Sequence, residues 1–332
     1  MHPSRLTRIA RAAVLAASVL VAFASAACHA QPGPGAGSPA PLVTIRVANL
    51  GVAGTGPQQL AIENGTFARH GIDLQVVNFP RGGAEATAGV ASGWVDMGEY
   101  GSPILMGVAS GLHIRIVGSP PIKENPFELV ARKGIESVRD LEGKVVASGE
   151  LGGGSHQSVL KILHDNGLTE DDVKVLASSG INAEALLRSG RVDAVVTGGQ
   201  VRNKLIAESG AKLIARARDY YGRYQHSYVF ATDDFIKAHP EAIRNYFLAT
   251  REAFEYARTH LDELVAFTAS RVKLPKDIIR ATYQEQIAQW DLSFAVDLEG
   301  TANAVKILKQ LKEIKQNVTF DPDTWLDLRF LN

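Results

Sequence analysis

Cysteine is nearly missing from this 332-residue chain: Cys28 stands alone, so no disulfide can close within it. An excess of either charge is missing too, because 35 lysines and arginines face 35 acidic residues. A chain with no basic excess offers no footprint for nucleic acid, and no such partner is expected. The nine histidines are scattered, with no His-x-x-x-His pair and no carboxylate cluster. Metal ligation therefore has no sequence signal, and no cofactor is expected. Long apolar runs are absent except for "AAVLAASVLVAFASAA" (Ala12 to Ala27), sixteen residues against the roughly 20 that span a bilayer.

What is present begins with that run. Arg5, Arg8 and Arg11 precede it, and the first thirty residues hold no Asp or Glu. A positive start, a short apolar stretch and then small residues predict an export signal over residues 1–30. A Gly/Pro/Ser-rich tether follows over 31–42. Cys28, just after Ser25-Ala26-Ala27, resembles the lipidated residue of a bacterial lipoprotein box, although Ser25 stands where such boxes carry Leu. Lipid anchoring through Cys28 and ordinary cleavage after Ala30 both stay open. Without residues 1–30 the balance is 32 basic to 35 acidic residues, a net charge near −3.

The remaining length suggests about two domains of roughly 150 residues, and the sequence repeats itself accordingly. "LVTIRVANLG" (Leu42 to Gly51) alternates and is β-branched, which predicts a strand. A helix ending at Gly71, the strand "IDLQVVNF" (Ile72 to Phe79), a small-residue helix and the strand "VDMGEYG" complete a β-α-β-α-β unit. The same order returns in "GKVVASG" (Gly143 to Gly149), "SHQSVLKILHDNG", "DVKVLASS", "NAEALLRSG" and "RVDAVVTGG". Val47-Ala48 precedes Val146-Ala147 by 99 positions, and Phe79 precedes Ser179 by 100. The phrase Ser-Gly-x-Val-Asp, at Ser92 and at Ser189, recurs after 97. Order and spacing agree, so two α/β lobes are predicted.

"GSPPIKENPFELVARKG" (Gly118 to Gly134) carries the chain out of the first lobe, and a strand within Asp219 to Phe235 carries it back. Lobe I then comprises 43–120 and 228–332, and lobe II comprises 121–227. The rest is helical, including one long amphipathic pattern from Pro240 to Arg271, expected to pack on lobe I.

Several phrases resemble the nitrate, taurine and aliphatic-sulfonate family of ABC-importer solute-binding proteins. They are "IRVANLG" with "AIENGTFARHGIDLQVVNF", "GGAEATAGVASGWVDMG", "GIESVRDLEGKVVA", "GSHQSVLKILHDNGLTEDDVKV" and "LLRSGRVDAVV", across about residues 43 to 260. The resemblance implies a type II periplasmic-binding-protein fold. Each lobe is a mixed, mostly parallel sheet flanked by helices, joined to the other by two hinge crossings and followed by a helical C-terminal region. It also implies a periplasmic monomer that performs no chemistry, closes on a small anion and delivers it to permease and ATPase subunits.

Ligands of open parallel sheets sit beyond the strands' carboxyl ends, where helix N-termini favour anions. The first such junction, "GVAGTGPQQ", offers Thr55 and Gln58 as donors. Its Gly-x-x-Gly-x-Gly pattern is a poor dinucleotide fingerprint, because Asp73 begins the second strand rather than ending it. "PRGGAEA" offers the amides of Gly82 and Gly83 beside Arg81, and "GEYGSP" offers Tyr100 and Ser102. Glu99 is unusual beside an anion: it either balances an arginine or meets a cationic group on the ligand. In lobe II, "LGGGSHQS" brings Gly154, Ser155 and His156 to a helix start, with Ser155 alternatively an N-cap. "TGGQVRNK" brings Gln200 and Arg202, the latter a candidate bidentate clamp for sulfonate or carboxylate. Tyr221, Tyr224 and His226 form either an aromatic wall or part of the core.

The expected ligand is an aliphatic sulfonate or related sulfur compound. An aromatic carboxylate or a thiamine-pyrimidine precursor is the alternative in the same class. Outside that class stand an α/β enzyme of like architecture, for which no acid/base pair is evident, and a ligand-sensing subunit.

Overall fold

The computed structural model describes residues 41–49, 56–79, 82–178 and 182–331. The expected signal segment 1–30 with Cys28, and the tether as far as residue 40, lie outside the described residues. The strands are β1 (Val43–Asn49), β2 (Ile72–Asn78), β3 (Met97–Tyr100), β4 (Ile114–Gly118) and β5 (Glu128–Ala131). They continue as β6 (Val145–Gly149), β7 (Lys174–Ala177), β8 (Ala194–Thr197), β9 (Lys212–Arg216) and β10 (Tyr228–Thr232). Two five-stranded sheets result, ordered β2-β1-β3-β10-β4 and β7-β6-β8-β5-β9. In each, four strands run parallel and the strand arriving from the other half of the chain, β10 or β5, runs antiparallel between two of them. This is the mixed, mostly parallel two-lobed architecture that the repeat predicts.

The repeat offsets reappear as strand register. Val47 pairs with Met97 in the first sheet and Val146 with Ala194 in the second. The Ser-Gly-x-Val-Asp phrase does the same work twice. Gly93 and Gly190 take left-handed φ of 72° and 70° after a helix end, a conformation that penalises any Cβ. Val95 and Val192 are buried. Asp96 then accepts the Arg46 N–H at 2.9 Å and returns its own N–H to the Arg46 carbonyl at 2.8 Å. Asp193 makes the matching pair with Val145 at 2.9 and 2.7 Å. Each aspartate also holds an arginine, Arg46 at 2.6 Å and Arg132 at 2.7 Å. The phrase locks the first strand of each repeated unit, β1 or β6, to the third, β3 or β8.

Helices cover both faces of each sheet. In lobe I, α1 (Gly56–Glu63) and α2 (Thr66–Arg69) lie on one face, and α3 (Gly83–Ala91) and α4 (Ser102–Ala109) on the other. Alternation along β10 supplies both cores: Val229 and Ala231 enter the first, Tyr228 and Phe230 the second. Lobe II carries α5 (Gly154–Asp165) on one face and α6 (Ala183–Arg188) and α7 (Gly199–Ser209) on the other.

The C-terminal helices begin with α8 (Asp233–Ala238), capped by the Thr232 hydroxyl, which accepts the Phe235 N–H. The long amphipathic pattern then divides, contrary to the single run expected, into α9 (Pro240–Thr259) and α10 (Leu261–Val272). His260 leaves helical geometry at φ −119°, ψ 46°, with its ring stacked 3.9 Å from Tyr256. The break lets the apolar faces of both helices reach the same lobe I core. α11 (Lys276–Ile287) joins that core through Ile279 and Tyr283. α12 (Leu298–Gln310) and the short α13 (Pro322–Trp325) close the opposite face. The tail does more than pack on lobe I. α12 also places Ile307 in the lobe II core, and α11 packs against α7.

Candidate functional site

The carboxyl ends of the parallel strands in both sheets lead to helices that meet between the lobes. At the lobe I edge, Thr55 lies outside the described residues, whereas Gln58 is buried in the first turns of α1. Its amide donates to Glu99 Oε1 at 2.8 Å and to the Tyr246 hydroxyl at 3.1 Å. Tyr246, from α9, donates to the same Glu99 oxygen at 2.5 Å. Glu99 shares its sheet face with Met97, two residues earlier, which puts it under α1 and α9 at the end of β3. Burial pushes the Glu99 carboxyl above its ordinary value, against the opposing pull of its two donors. Tyr100 faces the other way and is not presented to the cleft. Its ring packs edge-on to Phe230 at 5.1 Å and its hydroxyl lies 3.3 Å from Thr87.

Gly82 and Gly83 open α3 as expected, but protein already crowds both. A Cβ on Gly83 would lie 2.5 Å from Pro103. One on Gly82 would lie 2.6 Å from the Glu150 carboxylate, which reaches across from lobe II.

The starts of α4 and α5 confront each other beside the second crossing. Ser102, fully buried, donates to Gln157 Oε1 at 2.7 Å, so its hydroxyl serves an interlobe contact rather than an open donor position. The His226 ring fills the space between the two helix starts. It stands 2.7 Å from a Cβ placed on Gly101 and 3.0 Å from one on Gly154, which explains glycine at both. Phe127 packs edge-on against this ring at 5.4 Å, and burial lowers the His226 pKa to about 4, leaving the imidazole neutral. Tyr221 and Tyr224 lie 4.5 Å apart, both packed against the lobe II core. Both readings apply to the tyrosines, which pack on this core and also line a groove at the crossings.

Gly153, not Ser155, is the N-cap of α5. The Ser155 hydroxyl folds back over Gly149, whose missing Cβ would sit 2.2 Å from it. His156 is buried, its Nδ1 facing the Gly152 N–H at 3.4 Å, and its Nε2 has no hydrogen-bond partner among the described residues. The N–H groups of Gly154, Ser155 and His156 belong to the first helical turn, which has no intrahelical acceptors.

Gln200 is buried in the first turn of α7. Arg202 is not free to clamp an anion. Its guanidinium lies 3.3 Å from Glu128 and forms a short ion pair with Glu285 of α11. Glu128 also faces Arg216 at 3.3 Å; burial still lifts its carboxyl above the ordinary value against the pull of both arginines. Beside Arg202, Asn203 donates to Thr282 at 3.1 Å, and a Cβ on Gly199 would press on the Thr282 methyl at 2.9 Å. Gln157, Tyr246, Thr282 and Glu285 thus join the interlobe region without having been singled out in the sequence. Tyr246, Thr282 and Glu285 lie in amphipathic helices, where nothing separates them from core or surface positions.

A groove of about 650 Å³ lies at the two crossings. Its basic residues are already paired: Lys123 with Asp291 at 2.6 Å, Arg218 with Glu124 at 3.2 Å and Arg223 with Asp297 at 2.8 Å. Among the described residues no group of His, Cys, Asp and Glu could hold a metal ion, and no helix is long and apolar enough to cross a membrane.

Two lobes built on sheets of this order, with helices meeting between them, define the periplasmic-binding-protein fold. The NMT1/THI5-like family model matches residues 55–264, and the chain belongs to that family. It is 25% identical over 206 residues to an Escherichia coli (strain K12) protein named as aliphatic sulfonates-binding. That match covers 61% of this chain and 63% of the relative's length. The alkanesulfonate-binding protein SsuA from Xanthomonas axonopodis pv. citri, solved with MOPS, superposes with a TM-score of 0.70 at 18% identity, over 84% of this chain and 97% of that one. The periplasmic aliphatic sulphonate binding protein SsuA from Escherichia coli also gives 0.70, at 20% identity, over 86% and 92%.

Proposed function

We propose that this chain is the exported solute-binding component of an ABC importer. It captures a small organosulfonate between its lobes in the periplasm, hands it to a membrane permease and performs no chemistry on it. The observation that carries this reading is the pair of register-matched lobes whose helix starts meet across a seam. The relatives named for binding sulfonates support the ligand class. The start of α5 is the place for the sulfonate oxygens: its first amides and its positive dipole end suit an anion, and His156 keeps an unpartnered nitrogen there. Opening and closing about the crossings 119–127 and 217–227 would admit and enclose the solute.

A thermal-shift screen of the mature protein tests this reading. Sulfonates bound to the native state raise the melting temperature by mass action, by about 2.7 kcal/mol of added stability at a hundredfold excess over Kd. Alkanesulfonates, aminoalkanesulfonates, nitrate, carboxylates and pyrimidines form the panel. Stabilisation by at least one sulfonate is expected. A panel in which no sulfonate moves the transition would overturn the ligand class, and one in which nothing does would overturn the binding function.

A further inference from the structure

We infer that Glu99 is a specificity-determining residue and that the captured solute carries a protonated amine, which Glu99 receives. The inference rests on the solute-binding reading above and specifies one end of the ligand.

Position comes first. Glu99 is the next-to-last residue of β3, the central strand of the lobe I sheet, and just beyond Tyr100 the residues Gly101 and Ser102 already touch the seam through His226 and Gln157. A side chain at this strand end stands where solutes of parallel sheets are held. Its orientation is fixed from behind: the Tyr246 hydroxyl and the Gln58 amide both donate to Oε1. Oε2 accepts from no donor among the described residues, and Glu99 itself is only partly buried. The carboxylate is thus held by one oxygen and presents the other.

Charge comes second. No lysine, arginine or histidine among the described residues pairs with Glu99. Neutral donors orient a carboxylate but do not cancel its charge, and a desolvated charge without a counter-ion is costly. The buried arginine of the interlobe region, Arg202, is held by Glu128 and Glu285. An ammonium group on the solute supplies the missing positive charge and three N–H donors. An alkanesulfonate of the same size would leave the Glu99 charge uncompensated on closure.

Titration calorimetry with an isosteric pair decides the matter: 2-aminoethanesulfonate against propane-1-sulfonate, on the wild-type protein and on Glu99→Gln. The wild type should bind the aminosulfonate about tenfold or more tightly than the propyl compound, the scale of one charge-assisted hydrogen bond. Glu99→Gln, which keeps the shape and an acceptor but loses the charge, should erase most of that preference. A near-native melting temperature of the variant confirms that it folds. Equal or tighter binding of propane-1-sulfonate by the wild type would overturn the Glu99 assignment and leave the solute-binding function standing. An undiminished preference in Glu99→Gln would overturn it too. Binding of neither compound would overturn the organosulfonate reading as well.

Discussion

Two partly buried acids occupy equivalent edges of the two lobes. Glu99 is the next-to-last residue of β3, and Glu128 pairs in register with Thr197, which ends β8, the matching strand of lobe II. Burial pushes both carboxyls above their ordinary value. Their neighbours differ. Glu128 is flanked by Arg202 and Arg216, whereas among the described residues Glu99 has only the neutral donors Tyr246 and Gln58. Lobe II neutralises its acid internally and ties the arginine onward to α11. Lobe I leaves its acid negative when ionised. The difference separates a charge that maintains the fold from one available to a ligand.

The largest effect should come from removing the counter-charge in lobe II. Arg202→Leu leaves Glu128 with Arg216 alone, and breaking a buried pair costs up to about 3–5 kcal/mol. The loss should be full near pH 8 and shrink toward pH 4, because protonation of Glu128 removes the stranded charge. Denaturant titration at both pH values measures it. A change below about 1 kcal/mol at pH 8 would erase the distinction between the two acids.

Glu99→Gln should act in the opposite direction and more weakly. An acid whose folded pKa is raised favours the native state while protonated. Its contribution is present below the ordinary value of 4.5 and is lost as pH rises through the folded value. Replacing it with a permanently neutral amide removes that loss. The unliganded variant should therefore melt higher than wild type at pH 8, by a gain on the order of 1 kcal/mol or about 2–4 °C, and the gap should close near pH 4. A variant that melts lower at pH 8 would mean that the ionised carboxylate is needed by the fold itself.

The scaffold of this comparison was legible in the sequence, and the partners were not. Repeat offsets of 97 to 100 positions foretold two lobes because register and helix length conserve spacing. The glycine and aspartate of Ser-Gly-x-Val-Asp are local devices, so their roles could be read from one phrase. Glu99 could be flagged for its charge alone. Arg202 was expected to face an anion because its partners, Glu128 and Glu285, are remote in sequence and come from different elements. Tyr100 and Ser102 were placed correctly on the strand end but not by face. One residue of alternation sends Tyr100 into the core, and an interlobe hydrogen bond engages Ser102. The break at His260 followed from packing two helices on one core, which no periodicity records.

The smallest expected effect on stability concerns Glu285, and it bears on how the lobes stay together. Its side chain is half exposed, and an exposed ion pair contributes about 0–1 kcal/mol, so Glu285→Gln should hardly alter the melting temperature. Yet Glu285 stands on α11, packed in lobe I, while Arg202 stands on α7 of lobe II. The pair, with Asn203 and Thr282 beside it, exists only while the lobes are in contact. Losing it lowers the closed population before any solute arrives, and apparent affinity falls with that population. Affinity in Glu285→Gln should drop about two- to fivefold for every solute alike, the equivalent of up to 1 kcal/mol, with the amine preference unchanged. A drop confined to aminosulfonates would instead place Glu285 beside the ligand and break the division between the acid that clamps the lobes and the acid that selects the solute.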